Sequence, residues 1–296
     1  MSERVTHTAV LDDLFRLAGV SSRICGAFRG VMAEHRRVAR LGSATKWGDR
    51  CNIPLLARLR EAWPNRKPED RLENRLAFVL GWLSHRAADR QMKPVFRAND
   101  NQTRAPRDCS LYDDICVLQK VYALDADSIY TPAVLGAERL LPEDAWRRVK
   151  EIFQILLEQS LVELHTFTPD PEHPWGWTDE VVRRFEGFYV DIDRYAKAFV
   201  NPDPVKYKQF VVDTNFYLDD DPVIVCARAI QRGEALSADD ADRAVALPAL
   251  SDYGRALRLS FDYLRAASDF FEGRIEEAEL AEKLNIGKLG SDGVAV

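Results

Sequence analysis

Apolar positions recur at helical spacing along most of the chain. Val10, Leu11, Leu14, Phe15 and Leu17 predict a first helix, and Ile24, Phe28, Val31, Met32, His35 and Val38 a second. Trp47-Gly48-Asp49 and Asn52-Ile53-Pro54 read as a loop before a short helix over 55–62. PNRKPED at 64–70 is a turn-rich connector, and Pro68-Glu69-Asp70 opens the next helix. That helix, at about 71–92, is apolar on most sides through Leu76 to Leu83, as expected at the centre of a bundle. Residues 97–110 carry no period and read as a loop, after which Leu111, Ile115, Leu118 and Val121 mark another helix. Pro142-Glu143-Asp144 starts a long helix, and TPDPEHPWGW at 168–177 punctuates the chain. Further helices are predicted at 178–199, 204–218, 221–232, 238–246, 251–272 and 275–284, with Ser237 and Asp240 as an N-cap and its third-position acid. VVDTNFYL at 211–218 is the most ambiguous segment, and none alternates well enough to require a strand. The expectation is an all-α protein, a multi-helix bundle around the helix at about 71–92. Residues 1–167 form one helical domain in this reading, and 178–290 a C-terminal helical region packed on it or forming a subdomain.

Composition narrows the function classes. The chain has 296 residues, 46% hydrophobic and 30% charged, which fits a globular protein rather than a disordered one. Its 41 Lys and Arg against 47 Asp and Glu give a net charge of −6, which argues against a generic nucleic-acid binder. No stretch approaches the ~18 apolar residues of a membrane span. The first residues carry Glu3, Asp12 and Asp13 and no hydrophobic signal region. Five scattered cysteines without a CxxC pair suggest reduced thiols, so a cytoplasmic location is expected.

One segment carries candidate chemistry. His85 and Asp89 form H-x-x-x-D on the central helix, one turn apart on one face. An imidazole and a carboxylate so placed can both bind a divalent metal. They also fit a core histidine hydrogen-bonded to a carboxylate one turn on.

The surrounding run, LAFVLGWLSHRAADRQMKPVF at 76–96, resembles the zinc-dependent phospholipase C-like family of all-α proteins. Leu80-Gly81-Trp82-Leu83-Ser84-His85, Asp89 and Pro94 match the family's helix motif, and Thr6-His7 matches the dipeptide that often precedes its first helix. Leu41-Gly42 and Gly48-Asp49 loosely match its metal-binding Gly-x-x-x-Pro-Asp loop. Lys93 stands where the family has a histidine, and Tyr112-Asp113-Asp114 where it has a later His and Glu. The resemblance covers about residues 1–125 and leaves the rest of the chain unassigned. It implies one or two zinc ions on His85, Asp89, Asp49 and His7, with Asp49 and Asp114 as catalytic acids; Lys93, a departure from the family, is a candidate for direct contact with a substrate phosphate in place of a missing metal. The implied reaction is attack of a zinc-activated hydroxide on a phosphodiester, with a phospholipid or related phosphoester as substrate.

Other candidates have simpler readings. His35 and the arginines 36, 37 and 40 suggest a solvated helix face, His165 a helix C-terminus, and His173 between Pro and Trp residues a packed loop. Asp12-Asp13 and Asp219-Asp220-Asp221 resemble paired-acid metal sites but also fit helix starts or surface runs. The competing function is a non-catalytic helical protein that keeps the fold and serves association with itself or a partner. A third reading is an unrelated helical module, in which His7 and Asp49 would lie far from His85.

Overall fold

The computed structural model describes residues 4–45, 52–99, 106–122, 142–172, 174 and 176–285. Among them the regular elements are all helical and there is no strand. The helices are α1 (Arg4–Val20), α2 (Gly26–Glu34), α3 (Arg36–Ser43), α4 (Asn52–Ala62), α5 (Leu72–Asn99) and α6 (Pro106–Val117). They continue as α7 (Pro142–Thr166), α8 (Trp177–Val200), α9 (Pro204–Tyr207), α10 (Pro222–Gln231), α11 (Ala238–Ala246), α12 (Asp252–Phe271) and α13 (Glu277–Lys283). Leu76, Ala77, Phe78 and Leu80 of α5 are all fully buried, as the apolar run requires.

Four local expectations change. The helix expected over Ile24–Val38 is two, broken at His35, whose backbone (φ −116°, ψ 30°) leaves the helical region. Asn52-Ile53-Pro54 is the first turn of α4 rather than loop, because a helix start leaves its first N–H groups without intrahelical partners and tolerates proline there. The aperiodic stretch at 97–110 is helical at both described ends, where α5 runs to Asn99 and α6 starts at Pro106. The ambiguous segment at 211–218 is a π-helical turn, Lys208–Val212, followed by turns.

The chain forms two compact units. One comprises Met1–Ala9, Val95–Thr168 and Pro174–Tyr217. In it α7 and α8 pair as a helical hairpin, with Phe153 edge-on to Phe199 at 5.3 Å. α6 packs on α8 and α9, where its Asp108 accepts from Lys206 Nζ at 2.6 Å and pairs with Arg194.

The other unit comprises Val10–Pro94, Pro169–His173 and Leu218–Val296. Here α10 packs on α11 and α12, and α4 packs on α12 and α13. Asp221 precedes α10, yet its carboxylate does not cap that helix. Oδ2 instead accepts three bonds at 2.8 Å, from the N–H groups of Leu250 and Ser251 and from Ser251 Oγ, and so ties the start of α10 to that of α12. Gly254 makes this contact possible, since a Cβ there would lie 2.1 Å from Asp221 Oδ2.

Cys25, Cys109, Cys116 and Cys226 are buried free thiols. Burial pushes the Cys226 thiol up to about 11. It therefore stays protonated at neutral pH and is a poor nucleophile. Iodoacetamide at pH 7.5 should leave these four unmodified in the native protein and label them after unfolding, as peptide mass spectrometry would read.

Candidate metal centre

Two glycines bring α3 and α5 into backbone contact. A Cβ on Gly81 would lie 1.9 Å from the carbonyl oxygen of Ala39, and one on Gly42 would lie 2.1 Å from that of Phe78. No side chain fits between the helices at this crossing. The close approach brings the end of α3 beside the next turn of α5, where His85 Nδ1 lies 2.8 Å from the Ser43 carbonyl oxygen. A carbonyl only accepts, so Nδ1 carries the proton and donates it. Nε2 of the neutral ring then presents a lone pair, and it lies 3.4 Å from Asp89 Oδ2.

A lone pair facing a carboxylate is repulsive unless a cation joins them. Either a second proton on the ring or a metal ion serves. The histidine geometry is the usual one for a metal ligand, whose other ring nitrogen donates to a backbone carbonyl and so fixes tautomer and orientation.

His7 completes the group. It lies on α1. One ligand atom from each of His7, His85 and Asp89 lies within 4.8 Å of the other two. Around tetrahedral zinc, ligands at about 2.0–2.1 Å stand about 3.3–3.4 Å from one another. The separation of 3.4 Å between His85 Nε2 and Asp89 Oδ2 already has that value. His7, His85 and Asp89 are 3%, 5% and 5% exposed, so the group sits away from bulk solvent. Two imidazoles and one carboxylate suit zinc and leave one tetrahedral position open.

The other sequence candidates fall elsewhere. Asp114 is fully buried but does not belong to the three-residue group. Its Oδ1 accepts from the Thr6 N–H at 2.8 Å and the Thr6 hydroxyl at 2.7 Å, so it caps the first turn of α1, next to His7. Asp49 lies outside the described residues, as do the Lys93 and His165 side chains and His173.

The basic patch around His35 is partly an ion pair: Arg40 donates through Nε and Nη2 to both oxygens of buried Asp12, at 3.1 and 2.8 Å. Asp13, also within α1, is likewise buried and pairs with Arg16 and with Arg228 of α10. Neither acid is a helix start or a surface residue. Sequence reading missed the Ser43 carbonyl, a backbone group whose only signal is the small residues Gly42 and Gly81 that let it approach.

No family model, curated protein or solved structure matches the chain.

Proposed function

We propose that the chain is a metal-dependent phosphodiester hydrolase that holds zinc on His7, His85 and Asp89. The observation that carries this reading is the meeting of His7 with His85 and Asp89. His7 is far from the other two in sequence, and the resemblance to zinc-dependent phospholipases C singled out all three. The third reading, in which H-x-x-x-D is coincidence, expects His7 and Asp49 to lie far from His85; a His7 ligand atom within 4.8 Å of those of His85 and Asp89 supports the first reading instead.

When bound, the metal supplies a Lewis acid and lowers the pKa of a coordinated water towards neutrality. The chain's part is to fix the ligands. Ser43 sets the His85 tautomer and ring plane, and Asp114 positions His7 by holding Thr6. We assign Asp114 this positioning role in preference to that of a general base. Asp49 remains the candidate for a further ligand or for the acid that orients the attacking water, and Lys93 for a contact to the substrate phosphate. The substrate class is a phosphodiester, with phospholipids the first to try.

A second reading draws on the burial of all three ligands: a zinc ion that pins α1 to α5 in a non-catalytic helical protein. Elemental analysis of purified protein, followed by hydrolysis of bis(4-nitrophenyl) phosphate and of phosphatidylcholine vesicles, separates the two. About one zinc per chain is expected. His85→Ala should weaken zinc binding by more than about 100-fold, since loss of even an outer partner of a metal ligand costs about 10–100-fold. Hydrolysis that disappears in His85→Ala supports the enzyme. Zinc bound without hydrolysis of either substrate leaves the structural reading. Failure to take up zinc overturns both.

A further inference from the structure

In the unit that contains Leu218–Val296, a cavity of about 500 Å³ opens where the α1–α2 connection meets the end of α12. That size is ordinary for a small-molecule site. Its charged lining is Arg23, Arg29, Arg265 and Arg274 with Asp269 and Glu272, an excess of positive charge in a chain whose net charge is −6.

The two acids are already engaged. Arg274 donates to Asp269 Oδ1 from Nε at 2.8 Å and from Nη2 at 2.6 Å, and it also pairs with Glu272. The other three guanidinium groups are not neutralised in this way. Arg29 Nη1 donates to the carbonyl oxygens of Ser21 and Ile24, at 3.2 and 2.6 Å. This holds the guanidinium in a fixed pose, and its Nε and Nη2 have no partner among the described residues. Those two N–H groups form the planar fork that takes a carboxylate or phosphate by two bonds.

Arg23 and Arg265 pair only loosely, through one nitrogen each. Arg23 Nε stands 3.4 Å from Asp242, which already holds Ser21 and Ser22, and Arg265 Nη2 stands 3.3 Å from Asp262. Their side chains are 43% and 41% exposed and can swing over a bound group. Helix α2 starts at the same cavity with Cys25 as N-cap, which makes no side-chain bond to the helix N–H groups. Its positive dipole end adds to the field of the three arginines.

We propose that this cavity binds a phosphate monoester of a small metabolite, its phosphate held by the Arg29 fork and covered by Arg23 and Arg265. Phosphate is favoured over carboxylate because three guanidinium groups and a helix end offer more donors than a carboxylate can accept. The cavity also exceeds what phosphate alone would fill, which points to an organic portion. The site is distinct from the proposed metal centre and does not depend on it.

The test is isothermal titration of the full chain as purified, with inorganic phosphate, 5′-AMP and adenosine at constant ionic strength. Phosphate and 5′-AMP should bind, 5′-AMP the more tightly, and adenosine should not. Arg29→Gln combined with Arg265→Gln should weaken 5′-AMP binding by about tenfold or more, in line with the loss of charge-assisted bonds. Should Arg29→Gln fail to fold by circular dichroism, Arg23→Gln with Arg265→Gln carries the same test on exposed side chains. The proposal is overturned if neither anion binds, if adenosine binds as well as 5′-AMP, or if folded arginine variants bind undiminished.

Discussion

Gly81→Ala is expected to destabilise the chain by about 2–4 kcal/mol, although alanine is the better helix former by about 1 kcal/mol. The sign comes from the α3–α5 crossing. A Cβ on Gly81 would meet the Ala39 carbonyl oxygen at 1.9 Å and the Ser43 nitrogen at 2.8 Å, all backbone atoms of a packed helix. A flexible side chain could turn away, but two helix backbones must part. Gly19, on α1, is the control, because a Cβ there meets nothing within 4 Å. Gly19→Ala should be neutral or stabilising by up to about 1 kcal/mol. Urea denaturation of the two variants beside the parent reads both effects. Equal shifts of the same sign would show that the crossing is not as tight as described. The same substitution should reach the metal centre, since parting α3 from α5 withdraws the Ser43 carbonyl from His85. Zinc affinity of Gly81→Ala should fall by about 10–100-fold, the usual cost of losing a partner behind a metal ligand. Zinc affinity unchanged in a destabilised Gly81→Ala would separate the crossing from the site.

This coupling explains which parts of the centre the sequence could reveal. His85 and Asp89 are legible because one helix carries both, and a spacing of four residues fixes their relation before any tertiary packing. His7 is legible only through a resemblance, because nothing in its own surroundings says which helix α1 will meet. The Ser43 carbonyl is not legible at all: every residue has one, and only the approach of Gly42 to Gly81 selects it. The same division runs through the fold. α11 begins and ends at the predicted residues because its capping box, Ser237 with Asp240, is local chemistry. The break at His35 has no glycine or proline to announce it, so a continuous apolar stripe reads as one helix. Pro54 misleads in the opposite direction, since proline marks helix starts as well as loops. Asp221 was legible as structural, but its partners Leu250 and Ser251 lie some thirty residues on and are set by packing.

Asp13→Ala should be among the most destabilising single changes in the chain, at about 3–5 kcal/mol, the cost of removing one member of a buried ion pair. Asp13 is fully buried within α1, and three side chains converge on it. Arg16 donates at 2.6 Å, Arg228 of α10 pairs with the same oxygen, and the Tyr253 hydroxyl of α12 donates to the other oxygen at 2.9 Å. Removing the carboxylate takes a shared acceptor from two guanidinium groups whose side chains are only 10% exposed and from a buried hydroxyl. Asp12→Ala is the comparison one residue away. Its partner Arg40 is 24% exposed, so solvent can take up the freed charge and the loss should be smaller. A double-mutant cycle with Arg228→Met apportions the effect. If the cost of Asp13→Ala is the stranded charge, the loss should shrink in the Arg228→Met background. An undiminished loss would assign it to Tyr253 and to the packing of α1 instead. Because Asp13 contacts α10 and α12 but no ligand of the proposed centre, folded Asp13→Ala at low temperature should bind zinc as the parent does. Gly81→Ala should not, and that difference distinguishes a residue that holds the bundle together from one that shapes the metal site.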